Sequence, residues 1–538
     1  MLSSIEIIAG KIWAELLHLD KVNPDDNFFE LGGDSLLILT MLFRTEDALG
    51  VKLRPETLMD APTFGEFCRI IDRKKTETVD TNEIIHCARK KTAYLPTEGM
   101  PVSFIQEQIV GAELAGLYDP DKVRSHCLDL CYRIKGSVDI AALDKALREI
   151  VRRHEILRTN YSVTDETVFQ NVNDTPQFLL RVEDLRSLPQ GERERETERI
   201  LKKIATDSFS FFHNKLMMSA TLITGETEHV LTIVVNHVAI DGLSMDILRN
   251  ELFLLYKAFS QGVPSPLADL PIQYADFAVW EREYFSGDRL EAKLVYWRRF
   301  SDKLFTTLPV DHMPTAISYD GDIVPVNIPP ELAEHLRQLG RECKVTLFTV
   351  LFAAFISLIH AFSGYRFNFF SIPVANRARK ETQSLIGCFM NFQFVYINLS
   401  GNPTFTEVIE RLNETMRDVY DNYVPFHFIA QQIPNQGPVV DFQLLNSLDE
   451  ATDTKLPELS LFPFKLQTQE FALFPIDVRL SGSLEAITGH FKYQTAVYDR
   501  KTIQDMVSDY MAILAKTVHD PDMRLSDMGI TPHNASKN

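Results

Sequence analysis

A serine placed at the start of a helix is the clearest candidate for covalent chemistry in this chain. The run Phe28–Leu37 puts two glycines, which allow a tight turn, directly before Asp34 and Ser35. Apolar residues then recur at helical spacing. A hydroxyl at a helix N-terminus lies where backbone N–H groups and the helix dipole favour a phosphate group. The same residue types form ordinary N-caps, so the pattern alone also allows a structural interpretation.

A histidine that follows an apolar strand is the second candidate. The run Leu231–Asn236 leads into His237, and Asp241 and Gly242 follow before an amphipathic helix that Ser244 is expected to cap. An imidazole leaving a buried strand can meet a reacting group with one ring nitrogen held and the other free. Asp241 could orient the loop by binding a cation elsewhere in the chain. A polar strand end without a function would have the same residue types.

The serine run resembles the phosphopantetheine attachment motif of carrier proteins. The resemblance implies that Ser35 is not catalytic but carries covalent 4′-phosphopantetheine, which holds an acyl or peptidyl group as a thioester. It also implies a phosphopantetheinyl transferase as a partner. The helical patterns on both sides of Ser35 agree with the small helical bundle of a peptidyl carrier domain.

The histidine run resembles the HHxxxDG motif of nonribosomal peptide synthetase condensation domains. The whole chain thus resembles a peptidyl carrier protein–condensation didomain, and the condensation part covers about residues 100–530. Other segments are similar to the remaining motifs of this family, in the family's order: Ser103–Gln108, Arg153–Thr159, Tyr274–Trp280, Pro373–Arg377 with Ile386–Asn391, and Tyr423–Phe426. Structural charges are the expected role of Arg153–Thr159, and packing is the expected role of Tyr274–Trp280.

The resemblance implies a role for each residue of the histidine motif. His237 would accept the amine proton or stabilise the tetrahedral intermediate, while Asp241 and Gly242 shape the loop and Arg377 supports it by pairing with Asp241. The family's first motif histidine is Asn236 here. Asparagine keeps its hydrogen-bonding capacity but does not titrate near neutral pH. Catalysis can therefore survive, as an ordinary condensation, a variant of it or a chain-release step.

Composition narrows the class of protein. The 538 residues carry a net charge of −19 and no basic stripe, which argues against nucleic-acid binding. Six thinly spread cysteines predict reduced thiols in a cytoplasmic protein and no metal site. The longest apolar run, Leu347–Ile359, is too short for a membrane span and predicts a buried core helix. No signal peptide and no membrane association are expected.

Hydrophobic periodicity divides the chain into a helical and a mixed region. Residues 1–72 predict a carrier bundle of about four helices, and periodicity fades in a linker over residues 73–100. Strand-like and helix-like runs then alternate through two stretches, 101–265 and 266–530. The resemblance implies that these are the N-lobe and C-lobe of a chloramphenicol-acetyltransferase-like condensation domain, with a tunnel that reaches His237 from both sides. The expected fold class is α+β multidomain.

The resemblance implies an acyltransferase that joins a thioester donor to an amine acceptor, with other synthetase modules and carrier domains as partners. An epimerase would need a glycine-histidine-glycine motif, and a heterocyclase would need two aspartates in place of Asn236 and His237. A freestanding acetyltransferase would not need a carrier. The alternative of a different class is a non-catalytic module that binds or gates carrier-bound intermediates. Asn236 favours that alternative, whereas the intact His237 and Asp241 oppose it.

Overall fold

The computed structural model describes residues 3–529 except for a set of short segments. These are residues 18, 20, 29–30, 32–40, 43, 46–47, 52, 54–56, 59–60, 75–84, 86–98, 116–126, 175–177, 208–215, 303–307, 315–317, 378, 434–439, 447–455, 457–458, 467–469 and 483–486. Ser35 and the start of its predicted helix therefore lie outside the described residues.

The N-terminal region packs around Trp13, which is fully buried. Helix α1 (Ser4–Leu16) presents this ring to helix α2 (Phe64–Lys74). The ring centroids of Phe28 and Phe64 lie 5.1 and 5.3 Å from Trp13 in edge-on contacts. Such aromatic pairs stabilise a core beyond the area that they bury. The apolar positions that predicted the first and last helices thus form one small core.

Residues 100–260 form two sheets with flanking helices. The three-stranded sheet has the order β1-β4-β3. The five-stranded sheet has the order β2-β7-β6-β5, and a strand from later in the chain, β12 (Ser460–Phe464), pairs with β2 at its edge. The strands are β1 (Met100–Pro101), β2 (Cys127–Lys135), β3 (Thr159–Thr164), β4 (Thr167–Val172), β5 (Arg181–Asp184), β6 (Met218–Thr224) and β7 (Glu228–Asn236). The helices are α3 (Phe104–Leu114), α4 (Ile140–Arg153), α5 (Gln190–Thr206) and α6 (Gly242–Ser260).

The remaining residues form a six-stranded sheet with the order β10-β9-β11-β13-β14-β8. Its six strands are β8 (Gly321–Ile328), β9 (Phe367–Val374), β10 (Asn391–Asn398), β11 (Val440–Asn446), β13 (Ile476–Gly482) and β14 (Ile487–Gln494). Strand β12 (Ser460–Phe464) belongs to the five-stranded sheet. The helices are α7 (Tyr274–Tyr284), α8 (Gly287–Arg298), α9 (Pro330–Cys343), α10 (Leu347–Ser363), α11 (Phe405–Asp421), α12 (Phe426–Gln432) and α13 (Arg500–His519). Strand β12 pairs with β2, so the predicted C-lobe segment supplies one strand of the five-stranded sheet.

Helix α10 is the predicted buried core helix. Its Phe352 and Phe355 rings stack on Phe442 of β11, with centroids 5.0 and 5.3 Å away. Among the described residues, no single helix has the length and apolar character to cross a membrane. Helices α9 and α10 reach that length and apolar character only when they are taken together, and this pair is bent by 101°. Leu351 to Ile356 are all fully buried within the protein, which accounts for the apolar character of α10.

Two elements bring the candidate residues together. Strand β7 lies between β2 and β6 inside the five-stranded sheet, and Val230–Asn236 is buried. His237 follows directly at the end of this strand. The connection from β9 to β10, residues 375–390, belongs to the other sheet and carries Arg377. Its Leu385, Ile386 and Phe389 pack in the same core as β7, so the two sheets meet at the end of that strand.

Candidate functional site

Asn236 holds the turn that presents His237. Its side-chain Oδ1 accepts a hydrogen bond from the Val238 N–H at 3.0 Å, and its carbonyl oxygen accepts one from the Ala239 N–H at 2.9 Å. Its own N–H donates to the Met217 carbonyl at 3.0 Å. The residue is fully buried. An amide side chain that accepts a hydrogen bond from a buried main-chain N–H has a structural role. This role explains how asparagine can stand at the first position of the motif.

His237 is partly accessible to solvent although it lies deep in the protein. Desolvation by burial is the largest influence on the imidazole and lowers its pKa, while main-chain hydrogen bonds of the loop and the Asp241 charge oppose the shift. The ring is thus partly open to solvent in surroundings that disfavour its charged form. The uncharged imidazole can act there as a base at neutral pH.

Cys388 is a neighbour of His237 that the sequence interpretation did not single out. Its Sγ lies 3.8 Å from His237 Nδ1, and the residue is fully buried. Burial, followed by the Asp241 charge, raises the pKa of this thiol well above its usual value. The thiol therefore stays protonated near neutral pH and is not an activated nucleophile. The only sequence signal for it is its position inside the Ile386–Asn391 motif.

Asp241 and Arg377 are in contact, in the pairing that the resemblance implied. Arg377 Nη2 donates to Asp241 Oδ1 at 3.0 Å, and the two side chains are only 7% and 4% exposed. The same Oδ1 accepts from the Ser244 N–H at 2.8 Å, and Oδ2 accepts from the Phe389 N–H at 3.0 Å. A buried carboxylate with three donors is well satisfied, so Asp241 ties the His237 loop to the segment that leads into β10.

Arg377 also binds the main chain of the β9–β10 connection, the segment in which it lies. Its Nη1 donates to the carbonyl oxygens of Thr382 and Leu385 at 2.7 and 2.9 Å. The guanidinium carbon lies 4.1 Å from the centroid of the Phe389 ring, a cation–π contact. The planar guanidinium with several fixed donors suits this arrangement in a way that an ammonium does not. Arg377 thus holds the loop geometry from the other side.

The expected capping role of Ser244 is wrong. Helix α6 begins at Gly242, and its N-cap is Asp241. Two residues separate Asp241 from Ser244, which is the spacing at which a carboxylate reaches a free N–H of the first turn. The Ser244 hydroxyl instead donates to the Gly387 carbonyl at 2.8 Å and accepts from the Gly387 N–H at 3.1 Å. Among the described residues nothing crowds Gly242, where a side chain would enter open space.

The first tyrosine of the Tyr274–Trp280 run packs against this segment. A Cβ on Gly387 would lie 2.1 Å from Cδ2 of the Tyr274 ring, so only glycine fits there. The Tyr274 hydroxyl also bonds the Cys388 carbonyl, and it lies 2.9 Å from Ser103 Oγ. Tyr274 is fully buried. The run therefore supports the shape of the site, as the packing interpretation predicted.

The Arg153–Thr159 run supplies structural charges, as expected. Arg153 Nε and His154 Nε2 bind the two oxygens of Glu251 on α6 at 2.9 and 2.8 Å. The Ile386 N–H donates to His154 Nδ1 at 3.3 Å. Burial lowers the pKa of His154, so the ring is neutral and its Nε2–H donates to Glu251. This histidine joins α6 to the β9–β10 connection, and both of its ring nitrogens are used in doing so.

The comparisons with known proteins agree on one family. A family model described as "Condensation domain" matches residues 98–538, and one described as "Phosphopantetheine attachment site" matches residues 10–71. A linear gramicidin synthase polypeptide of Brevibacillus parabrevis is 32% identical over 539 residues, which are 97% of this chain and 10% of the relative. Malpinin synthetase of Mortierella alpina is 30% identical over 528 residues, which are 96% of this chain and 7% of the relative.

Solved structures share the fold. The X-domain in its complex with OxyB from teicoplanin biosynthesis matches with a TM-score of 0.72 and 23% identity, over 85% of this chain and all of that one. The first condensation domain of the CDA synthetase matches with a TM-score of 0.66 and 18% identity, over 80% of this chain and 98% of that one.

The chain therefore belongs to the condensation-domain family of nonribosomal peptide synthetases, with a phosphopantetheine attachment domain before the condensation domain. The predicted fold class is confirmed, since a helical carrier region precedes a mixed α and β condensation domain. The carrier match indicates covalently attached 4′-phosphopantetheine. The chain spans about a tenth of the length of the curated relatives that it matches. The boundaries at residues 72, 100 and 265 stay predictions.

The buried ion pair leads to a stability prediction. Asp241→Asn or Arg377→Met leaves one buried charge unpaired, so we expect each variant to lose about 3–5 kcal/mol of unfolding free energy. The double variant should recover part of this loss because no buried charge is left alone. Urea denaturation measures both effects. Asp505→Asn, which breaks an exposed pair with Lys501, is the control that should change little. Additive losses in the double variant would contradict the pairing.

Proposed function

We propose that this protein forms an amide bond between an acyl or peptidyl thioester and an amine. The observation that carries the proposal is the His237 imidazole, which is uncharged, partly accessible and placed on a loop held by the Asp241–Arg377 pair. Nδ1 lies 3.8 Å from Cys388 Sγ, so Nε2 is the ring nitrogen that we assign to the substrate.

The chemistry of the proposed step is acyl transfer. The bound pantetheine thiol supplies the activated thioester when the carrier is loaded. The amine nitrogen attacks the acyl carbon, the carbon–sulfur bond breaks, and the thiol departs. His237 Nε2 can take the proton that the attacking nitrogen loses and can return it to the departing sulfur. Holding donor and acceptor together beside His237 would contribute a further part of the rate enhancement.

In the proposed reaction, the carrier domain holds the donor thioester. Ser35 is its attachment residue, and the order of the domains favours Ser35 as the site that carries the donor. A phosphopantetheinyl transferase would load it, and neighbouring synthetase modules would supply the acyl group and the acceptor. Cys68, Cys343 and Cys388 are free thiols, which supports a reducing, cytoplasmic location. Whether the product stays on a carrier or is released depends on the acceptor.

The experiment that tests the proposal follows an acyl group on the protein itself. The protein is loaded with an acyl-pantetheine from acyl-coenzyme A by a phosphopantetheinyl transferase, and carrier-bound and free amines are then added. Mass spectrometry should show loss of the acyl group from the protein and a new amide. Amide formation with free amines alone would identify a chain-release step. Persistence of the acyl-protein with every amine, or release only as the free acid, would refute the proposal.

The same assay tests the altered motif position. Because Asn236 supplies a hydrogen-bond acceptor to the turn, Asn236→His should fold and keep activity within about tenfold, or roughly 1.4 kcal/mol of barrier, with the same product. Asn236→Ala removes that acceptor and should lower stability, which makes it the matched control. A different amide product from Asn236→His would show that Asn236 selects the chemistry.

A non-catalytic binding module is the second candidate function. One specific observation favours it: the X-domain, which has this fold, is seen in a complex with the protein OxyB. That likeness shows the fold alone. His237 separates the two candidates, because a binding module does not need an uncharged and accessible imidazole. A substitution of His237 that removes the imidazole therefore decides between the two candidate functions.

A further inference from the structure

Asn376 joins strand β9 to the arginine of the site through an unusual backbone conformation. Strand β9 ends at Val374, and Arg377, which pairs with Asp241, follows three residues later. Between them, Asn376 has a φ of 49°, in the left-handed region that few residues other than glycine, asparagine and aspartate adopt. The chain therefore leaves the extended course of β9 at Asn376, directly before it enters the site.

The other left-handed residues that are not glycine lie elsewhere in the described part of the chain. They are Asp165–Glu166 in the β3–β4 turn, Lys344 at the C-cap of α9 and Asn402 in the β10–α11 connection. Asn376 is the one that adjoins a residue of the site. This conformation is unfavourable for a residue with a side chain, and it persists where neighbouring groups hold it.

The side chain of Asn376 is held by a buried carboxyl group. Asn376 Nδ2 donates to Oε1 of Glu281 on α7 at 3.4 Å, and Glu281 Oε2 accepts from the Phe104 N–H at 3.0 Å. Phe104 is the first residue of α3, where a helix leaves its N–H groups without partners of its own. One carboxyl group thus joins α3 and α7 to the turn at Asn376.

Glu281 occupies an unfavourable place for a carboxyl group. It is only 1% exposed, and burial raises its pKa to about 7, although the Phe104 N–H, the Arg282 charge and the Asn376 amide oppose the shift. The Arg282 guanidinium itself binds Glu107 at 2.7 Å. An apolar side chain at this position would avoid the cost of burying a carboxyl group. Glu281 is therefore better explained by the groups that it binds than by packing.

We propose that Asn376 and Glu281 are positioning residues for the reaction at His237. Glu281 fixes the side chain of Asn376, and the left-handed backbone of Asn376 sets the position of Arg377. Arg377 in turn holds Asp241 and, through it, the His237 loop. This inference rests on the proposed amide-forming function. It assigns both residues an effect on the rate that is transmitted through the Asp241–Arg377 pair.

Two substitutions of Asn376 test the role of its backbone. Valine is strongly disfavoured at a positive φ, so Asn376→Val should shift the turn. We expect kcat for amide formation to fall by about tenfold or more while KM changes little, because a small misplacement of the reacting groups is enough for such a loss. Glycine adopts a positive φ freely, so Asn376→Gly should keep most of the rate. A wild-type kcat in Asn376→Val would overturn the inference.

Asn402→Val is the matched control. Asn402 has a φ of 53° and follows Asn398, which lies at the opposite end of β10 from the segment that meets His237. Its side chain binds Ser526. Valine should strain this turn as well, so urea denaturation should show a loss of stability while kcat stays at the wild-type value. A similar fall in kcat in both valine variants would show a general effect of stability and overturn the inference.

A double-mutant cycle tests whether Glu281 acts through Asn376. Glu281→Gln leaves one acceptor oxygen for two N–H groups, so it should lower kcat in the otherwise wild-type protein. In Asn376→Gly the turn no longer depends on that acceptor, and the same substitution should then have little effect on kcat. Equal losses in both backgrounds, or no loss in either, would overturn the role of Glu281.

A stability measurement separates this inference from the proposed function. The coupling energy between Asp241→Asn and Arg377→Met requires no reaction, and it should be largely lost in Asn376→Val and kept in Asn376→Gly. Loss of the coupling in a protein that forms no amide would refute the function and keep the positioning role. Amide formation with full coupling in Asn376→Val would do the opposite. If Asn376→Val does not fold, Asn376→Ala should show a smaller fall in kcat and in coupling, and no fall would count against the inference.

Discussion

Alanine in place of His237 is expected to lower the rate of amide formation by about 10²-fold or more, the usual scale for a general acid–base group. The neutral imidazole provides the proton acceptor that the attacking amine needs. Asp241, Arg377 and Asn236 cannot take over this role, because their polar groups are engaged in holding the loop. Single-turnover decay of the acyl-protein in the presence of an amine measures the effect.

Two further variants make this result specific. His312→Ala removes an exposed histidine paired with Asp499 and should leave the rate unchanged. His237→Gln keeps a hydrogen-bonding side chain without a titrating ring, so it should be nearly as slow as His237→Ala. Equal thermal melting of the His237 variants and the wild type would show that the fold is kept. Wild-type rates in His237→Ala would instead support the binding module, or a reaction driven by proximity alone.

Ser35→Ala is expected to abolish phosphopantetheine transfer to this protein completely. A hydroxyl oxygen must attack the phosphorus of coenzyme A, and alanine has none. Incubation with coenzyme A and a broad phosphopantetheinyl transferase, followed by intact-protein mass spectrometry, reports the modification directly. All amide formation from protein-bound acyl groups should disappear with it, although acyl groups presented on a separate carrier should still react.

Substitution of a different serine in the same domain provides the control for Ser35→Ala. Ser4→Ala, in the first turn of α1, leaves the glycine turn intact and should be modified to the same extent as the wild type. Full modification of Ser35→Ala would place the cofactor on another residue and remove the assigned role of Ser35. Loss of modification in both variants would point to a damaged carrier fold, which the melting curve of each protein would reveal.

Local sequence patterns were sufficient for many elements of the fold. The run Val230–Val235 lies within β7, and the run Phe405–Tyr420 lies within α11. Periodicity succeeds in such cases because the buried face of a strand or helix depends on neighbours close in sequence. The cap of α6 was assigned wrongly because Asp241 and Ser244 both favour capping, and local preference does not choose between them.

By itself, the sequence determined the family, and it indicated several of the helices and strands and the candidate residues Ser35 and His237. These depend on residue types at short, regular spacings. Only the tertiary structure decided that Asn236 supports a turn, that Cys388 is a protonated neighbour of His237, and that Glu281 binds Asn376. Each of these facts joins strands or loops far apart in the chain. Burial then shifts the pKa values of His237 and Cys388, and no local pattern encodes burial.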